Sequence, residues 1–198
     1  MTTTDVLSTA LDDCHEPPLA PLPVPVAALL RELGAAPRLV AHLRAVHDVA
    51  LRLADWAELR RPALEFDRRA VLFGAATHDI GKTLHPAELS GPGSAHERAG
   101  RDLLLAHGFS AAHARFAATH ASWGAEGVGI DDLLVSLADK VWKNKRVPEL
   151  EDLVVDHLVR AGGRPRWEEF MDLDEVLAGI GEGADARLAY QMAHPVRK

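Results

Sequence analysis

The sequence predicts an all-α protein, and three observations carry that prediction. Ala and Leu dominate the 47% of residues that are hydrophobic, while aromatics supply only 5%; that mix favours helix over sheet. Apolar residues recur at spacings of three and four through most of the chain, as one face of a helix requires. No segment alternates apolar and polar residues as a half-buried strand would.

The elements follow in order. Residues 1–25 read as an N-terminal arm. Its run PPLAPLPVP, at 17–25, holds five prolines in nine residues. Proline removes backbone donors and restricts the residue before it, so this run is kept out of a helix. It is expected to lie extended on the surface or to be disordered. A helical core follows over 26–161 and a C-terminal helical extension over 162–198. In the core, a short helix over about 26–33 stops at Gly34. A longer one opens at Pro37, a residue suited to a first turn. It carries Leu39, Leu43, Val46, Val49, Ala50 and Leu53 on one face and ends near Arg60-Arg61-Pro62. Asp67 is the expected N-cap of the next helix, RRAVLFGAATHDI, which is nearly all apolar and therefore central; Gly81 ends it. Residues 83–94 are a loop dense in Pro, Gly and Ser. Helices are expected near 95–107, 110–121 and 130–143, and from Pro148 to about Arg160. After a break at GGRPR (162–166), residues 167–192 hold one or two helices interrupted by Gly179, Gly181 and Gly183. There is no internal repeat.

Composition bounds the function. A formal charge of -7 makes the chain a poor candidate for wrapping duplex DNA or coating an anionic membrane. A small anionic substrate remains open, because local charge and metal ions decide that. The one cysteine, Cys14, has no intramolecular partner, which fits a reducing compartment. The opening MTTTDVLSTALDD lacks the basic start and apolar stretch of a secretory leader. No run approaches the roughly 18 apolar residues of a membrane span. A cytoplasmic location is expected.

The chain holds eleven histidines. His15, His107, His113, His157 and His194 read as surface residues. The pair His78-Asp79 differs, because it lies at the end of the most apolar helix. Neighbours on a helix are about 100° apart, so both side chains can lean toward one point. Imidazole and carboxylate are ligands for Fe, Mn or Zn, and burying them without a partner is costly. On the long helix before it, His42 shares the face of Val46, Val49 and Leu53, whereas His47 lies about 140° away on the flank. His42 is the better candidate there. Asp139 stands within LLVSLADKVW, where an unpaired carboxylate is out of place; pairing with Lys143 one turn on is the alternative to a ligand role.

Taken together, His42, then His78-Asp79-Ile80-Gly81-Lys82, then His96 in HERAG, His120 in ATHASW and Asp139 in LADKVWKNKR resemble the HD superfamily of metal-dependent phosphohydrolases. The resemblance spans roughly residues 36–147. It implies a helical bundle with a metal site in its interior, held by His42, His78, Asp79, His96, His120 and Asp139. His42, His78, Asp79 and Asp139 alone would hold one divalent ion. With His96 and His120 there are enough ligands for two, bridged by Asp79. Fe or Mn is favoured, and Zn, Co or Ni also suits such ligands. The extra histidines resemble the two-metal branch, which includes bacterial HD enzymes that cleave diadenosine tetraphosphate.

The implied reaction is hydrolysis of a phosphate ester or anhydride of a small molecule, a nucleotide by preference, through metal-activated water. Asp79 would hold the metals and orient the nucleophile. Lys82 would reach a phosphate oxygen, or else serve only as a cation at a helix end. Lys140, Lys143, Lys145 and Arg146 form a basic cluster, in which Lys143 and Arg146 are candidates for substrate binding; the alternative is a solvated face. Trp123 and Trp142 are candidates either for stacking on a base or for the core. Two rival activities share the pattern: a mixed-valent diiron oxygenase and a non-catalytic ligand-binding module. The spacing of 19 residues between His120 and Asp139 leans toward the hydrolases. A homodimer is left open.

Overall fold

The computed structural model describes residues 3–12 and 17–196. Its α-helices, in chain order, are α1 (Thr3–Asp12), α2 (Val24–Glu32), α3 (Pro37–Arg60), α4 (Arg68–Thr77), α5 (Ala95–Ala106), α6 (Ala111–Thr119), α7 (Ile130–Val141), α8 (Pro148–Gly162), α9 (Arg166–Gly181) and α10 (Ala184–Ala193). Two short 3-10 turns, Ile80–Thr83 and Pro86–Leu89, lie between α4 and α5. No strand occurs among the described residues, so the fold is all-α, as the composition predicts.

The long helix α3 is the axis of the bundle. Pro37 sits in its first turn, and nearly every residue from Leu39 to Ala50 is buried. Burial on all sides follows from α3 being shared by two apolar clusters. Leu39, Val40 and Leu43 join residues of α1, α2, α5 and α6. Val46, Val49 and Leu53 join residues of α4 and of α7 through α10. Each fully buried Leu or Val contributes roughly 1.5–3 kcal/mol. Asp67 caps α4 as expected, its carboxylate accepting the Ala70 N–H at 3.0 Å, an interaction of about 1 kcal/mol.

The N-terminal segment differs from the expected loose arm. Residues Thr3–Asp12 form a helix, and Ala10, Leu11, Leu19 and Leu22 are buried. The proline run does stay out of a helix up to Pro23, after which Val24 and Pro25 open α2. Arg44, buried on α3, is what docks the segment. Its guanidinium donates to the carbonyls of Ala10 at 2.9 Å and Leu19 at 3.1 Å, and to the Tyr190 hydroxyl at 2.9 Å. Cys14 and His15 lie outside the described residues.

At the other end, α9 runs through Gly179 and up to Gly181 instead of breaking there. Gly181 is a packing position: a Cβ on it would lie 2.5 Å from the Asn144 side-chain oxygen. The last helix, α10, is pinned at both ends. Arg187, buried near its start, donates to the carbonyls of Trp142 at 2.7 Å and Ile180 at 2.6 Å. Arg38, in the first turn of α3, donates to the carbonyls of Met192 at 3.0 Å and His194 at 2.9 Å. His194 is therefore buried rather than at the surface, with its ring edge-on to Tyr190. No helix of the described residues is long and apolar enough to cross a membrane.

Candidate metal centre

Five elements converge at the seam between the two apolar clusters. His42 comes from the second turn of α3. His78 caps the C-terminus of α4, and Asp79 follows it with φ -102° and ψ 10°, outside the helix. The α-helix thus ends at Thr77, earlier than the expected stop at Gly81. The chain tightens there into the 3-10 turn, with Lys82 N–H bonded to the Asp79 carbonyl at 3.0 Å. Gly81 serves close approach and not a left-handed cap. A Cβ on it would overlap the His96 carbonyl oxygen and lie 2.5 Å from Gly100 N. That contact presses the turn against α5 and brings His96 beside Asp79. His120 caps the end of α6, and Asp139 lies in α7.

The six side chains form two groups of three. His42, His78 and Asp139 offer ligand atoms within 4.8 Å of one another, and so do Asp79, His96 and His120. Asp79 stands between the groups. Its Oδ2 lies 3.1 Å from His42 Nε2 and 3.6 Å from His78 Nε2, while its Oδ1 lies 3.0 Å from His96 Nε2 and 3.6 Å from His120 Nε2. Asp139 Oδ1 is 3.5 Å from His78 Nε2 and 3.7 Å from His42 Nε2. Each carboxylate also meets a lysine: Asp79 accepts from Lys82 at 2.6 Å, and Asp139 from Lys140 at 2.5 Å.

The donor set fits metal. His78 Nδ1 faces the Ala75 carbonyl at 2.9 Å and His120 Nδ1 the Ala117 carbonyl at 3.1 Å. A carbonyl only accepts, so both Nδ1 atoms carry the proton and, in the neutral rings, both Nε2 atoms turn lone pairs inward. His96 Nδ1 is held likewise by Glu88 Oε2 at 2.5 Å. The His42 and His78 Nε2 atoms face each other at 3.2 Å; two neutral lone pairs at that range repel unless a proton or cation lies between them. His96 Nε2 is buried 3.0 Å from Asp79 Oδ1, but not in hydrogen-bond alignment with it or with any other described residue. Such an arrangement is costly as an uncharged core and suits a divalent cation.

Charge tells the same story. Burial pushes the Asp79 and Asp139 carboxyls up, yet the surrounding imidazoles outweigh it and hold both well below the usual carboxylate range. Burial lowers His42, and lowers His120 to about 4 with the neighbouring His78 adding to it. At His78 and His96 burial also acts downward, but Asp79 with Asp139, and Asp79 with Glu88, reverse it.

Other candidates are placed elsewhere. His47 is buried on α3 in neither group, and burial lowers it to about 4. His113 meets Ser110 and the Phe73 ring. A cavity of about 260 Å³ opens on the site, lined by His42, Asp79, Lys82, Leu89, Trp142, Lys143, Leu188 and Gln191. It thus includes Lys82 and Lys143, but not Arg146, expected to contact substrate. Arg146 is turned away by a two-pronged pair with Glu151 at 2.9 and 2.7 Å and a further contact to Asp174 at 2.8 Å. Trp142 stacks edge-on to His42, and Trp123 instead lies under the Lys140 ammonium. A wider cleft of about 790 Å³ near residues 65–69 and 129–132 touches none of the clustered side chains.

Sequence reasoning missed Glu88, Leu188 and Gln191. Glu88 sits in a loop eight residues before His96, and its carboxylate also accepts the Ala95 and His96 N–H groups. An acid in a Pro- and Gly-rich loop gives no periodic signal. The α10 residues are distant in sequence from every other cavity residue.

Among protein families, the HD domain matches residues 39–157. No curated protein and no solved structure gives a match, so the finer likeness to diadenosine tetraphosphate hydrolases rests on the histidine pattern alone. The family match runs from α3 into α8, covers more than half of the chain and takes in all six clustered side chains; the chain therefore belongs to the HD-domain superfamily of metal-dependent phosphohydrolases.

Proposed function

We propose that this chain hydrolyses a phosphate ester or anhydride of a small molecule, a nucleotide among the candidates, with two divalent metal ions of which Fe or Mn is favoured. The observation that supports it most is the two groups of three ligands, with one oxygen of Asp79 turned to each. His42, His78 and Asp139 would hold one ion, His96 and His120 the other, and Asp79 both. Ions bound there lower the pKa of coordinated water and neutralise phosphoryl oxygens.

The chain's own residues supply the rest. Asp79 and Asp139 stay ionised, their pKa values held low, so they act as fixed charge and not as proton acceptors. Lys82 lines the cavity with its ammonium on Asp79, where it can also meet a non-bridging phosphate oxygen. Lys143 brings a second cation to the cavity lining. Trp142, beside His42, excludes water from one side.

Elemental analysis of protein loaded with Mn or Fe should give close to two metals per chain, together with phosphate release from a panel of phosphate esters and anhydrides. Asp79→Ala should abolish both. Activity retained in that variant would mean the site is misplaced. Oxygen uptake by the partly oxidised iron form, without phosphate release, would support the oxygenase instead.

A further inference from the structure

We propose that α10, which lies beyond the family match, is the wall that selects the substrate's organic part, with Gln191 hydrogen-bonding a neutral hydroxyl- or amide-bearing group. This rests on the phosphohydrolase reading above. Leu188 and Gln191 are three residues apart, hence on one face of the helix, and both line the cavity beside the metal centre. Arg187 and Arg38 fix the helix at its two ends through backbone carbonyls, so that face is held in place. The Gln191 side-chain amide is half-buried and makes no hydrogen bond to another described residue.

The cavity is divided by chemistry. The charged and metal-ligating lining residues, Asp79, His42, Lys82 and Lys143, come from other elements, whereas α10 contributes only the uncharged Leu188 and Gln191. A phosphate belongs beside Lys82 and the metal centre, and a second phosphate directed at α10 would meet no cation of that helix in the lining. What fits against α10 is an uncharged group with an apolar face and a hydrogen-bonding edge. At about 260 Å³ the cavity is also smaller than the roughly 300–1,000 Å³ usual for small-molecule sites. It suits a phosphomonoester with one ring near the phosphate.

The test is calorimetric titration of metal-loaded protein with ribose 5-phosphate, adenosine 5′-monophosphate and inorganic phosphate. The wild type should bind at least one ester tenfold or more tightly than inorganic phosphate. Gln191→Leu should cut that preference about tenfold, the loss of one hydrogen bond. Met192→Ala, at an exposed neighbouring position on the same helix, should leave it unchanged. A wild type that prefers neither ester overturns the proposal, as does an unaltered preference in Gln191→Leu or an equal loss in Met192→Ala. If the preference behaves as expected but no ester is hydrolysed, the hydrolase reading fails and this one stands. Hydrolysis with no dependence on Gln191 sinks only this one.

Discussion

Replacing Gly81 with alanine tests whether the approach of two backbones sets the geometry of the metal centre. Gly81 lies two residues after Asp79, and Gly100 lies one turn after His96 in α5. The new methyl would overlap the His96 carbonyl oxygen and sit 2.5 Å from Gly100 N, where ordinary contact begins near 3.4 Å. Both obstacles are backbone, so no change of rotamer relieves them. The turn and α5 must separate by about 1 Å, an overpacking that costs roughly 1–3 kcal/mol. For a chain of this size each kcal/mol lowers Tm by about 2–4 °C, so a fall of roughly 2–12 °C is expected. His96 rides on the part of α5 that must retreat. Its imidazole moves away from Asp79, and a displacement near 1 Å costs about a hundredfold in activity. Thermal unfolding and metal-to-chain ratios at graded free Mn measure both effects, and the ratio should fall from two toward one. A Gly81→Ala protein with wild-type melting and two bound ions would refute the reasoning.

Two further predictions follow from neighbours of the site. Glu88→Ala frees the His96 ring and should weaken metal binding at the Asp79, His96 and His120 group by about ten- to a hundredfold; a chelator competition that removes both ions with equal ease would show that Glu88 has no such selective role. His47 is neutral when folded, since burial lowers it from 6.5 to about 4. Between those values the unfolded chain binds the proton first, so stability present above pH 6.5 is lost as pH falls toward 4. From pH 7 to pH 5 that is ~2 kcal/mol. His47→Leu should remove this share of the slope in denaturant unfolding of the metal-loaded protein, and an identical slope in the variant would exclude His47 as its source.

The helices α3 through α8 were legible because their signals are local: Pro37, Asp67 and Pro148 mark starts, and apolar residues repeat at helical spacing between them. The six clustered residues were legible as an ordered set through the resemblance to the HD pattern, each falling at a helix end or on a core-facing stripe. What escaped depended on partners distant in sequence. The helix Thr3–Asp12 is rich in β-branched threonine and leads into a proline run, so propensity argues against it; Arg44 and Tyr190, far along the chain, hold it. A basic run looks like one surface, yet its members take separate roles: Lys140 on Asp139, Lys143 in the cavity, Arg146 on Glu151 and Asp174. Periodicity carries no information about such pairings.

The lysines against the two carboxylates have an electrostatic consequence. Asp79 and Asp139 are the acidic members of the cluster, and Lys82 and Lys140 each already offset one of them. The imidazoles add no charge when neutral. With Glu88 against His96 the formal charge around the cluster is only about -1, so most of the charge of two divalent ions is left to be compensated from the cavity. In a chain whose net charge is -7, the loaded centre becomes an isolated positive well. The counter-charge it lacks is what a phosphate dianion brings, so much of the affinity for anions is set inside the bundle.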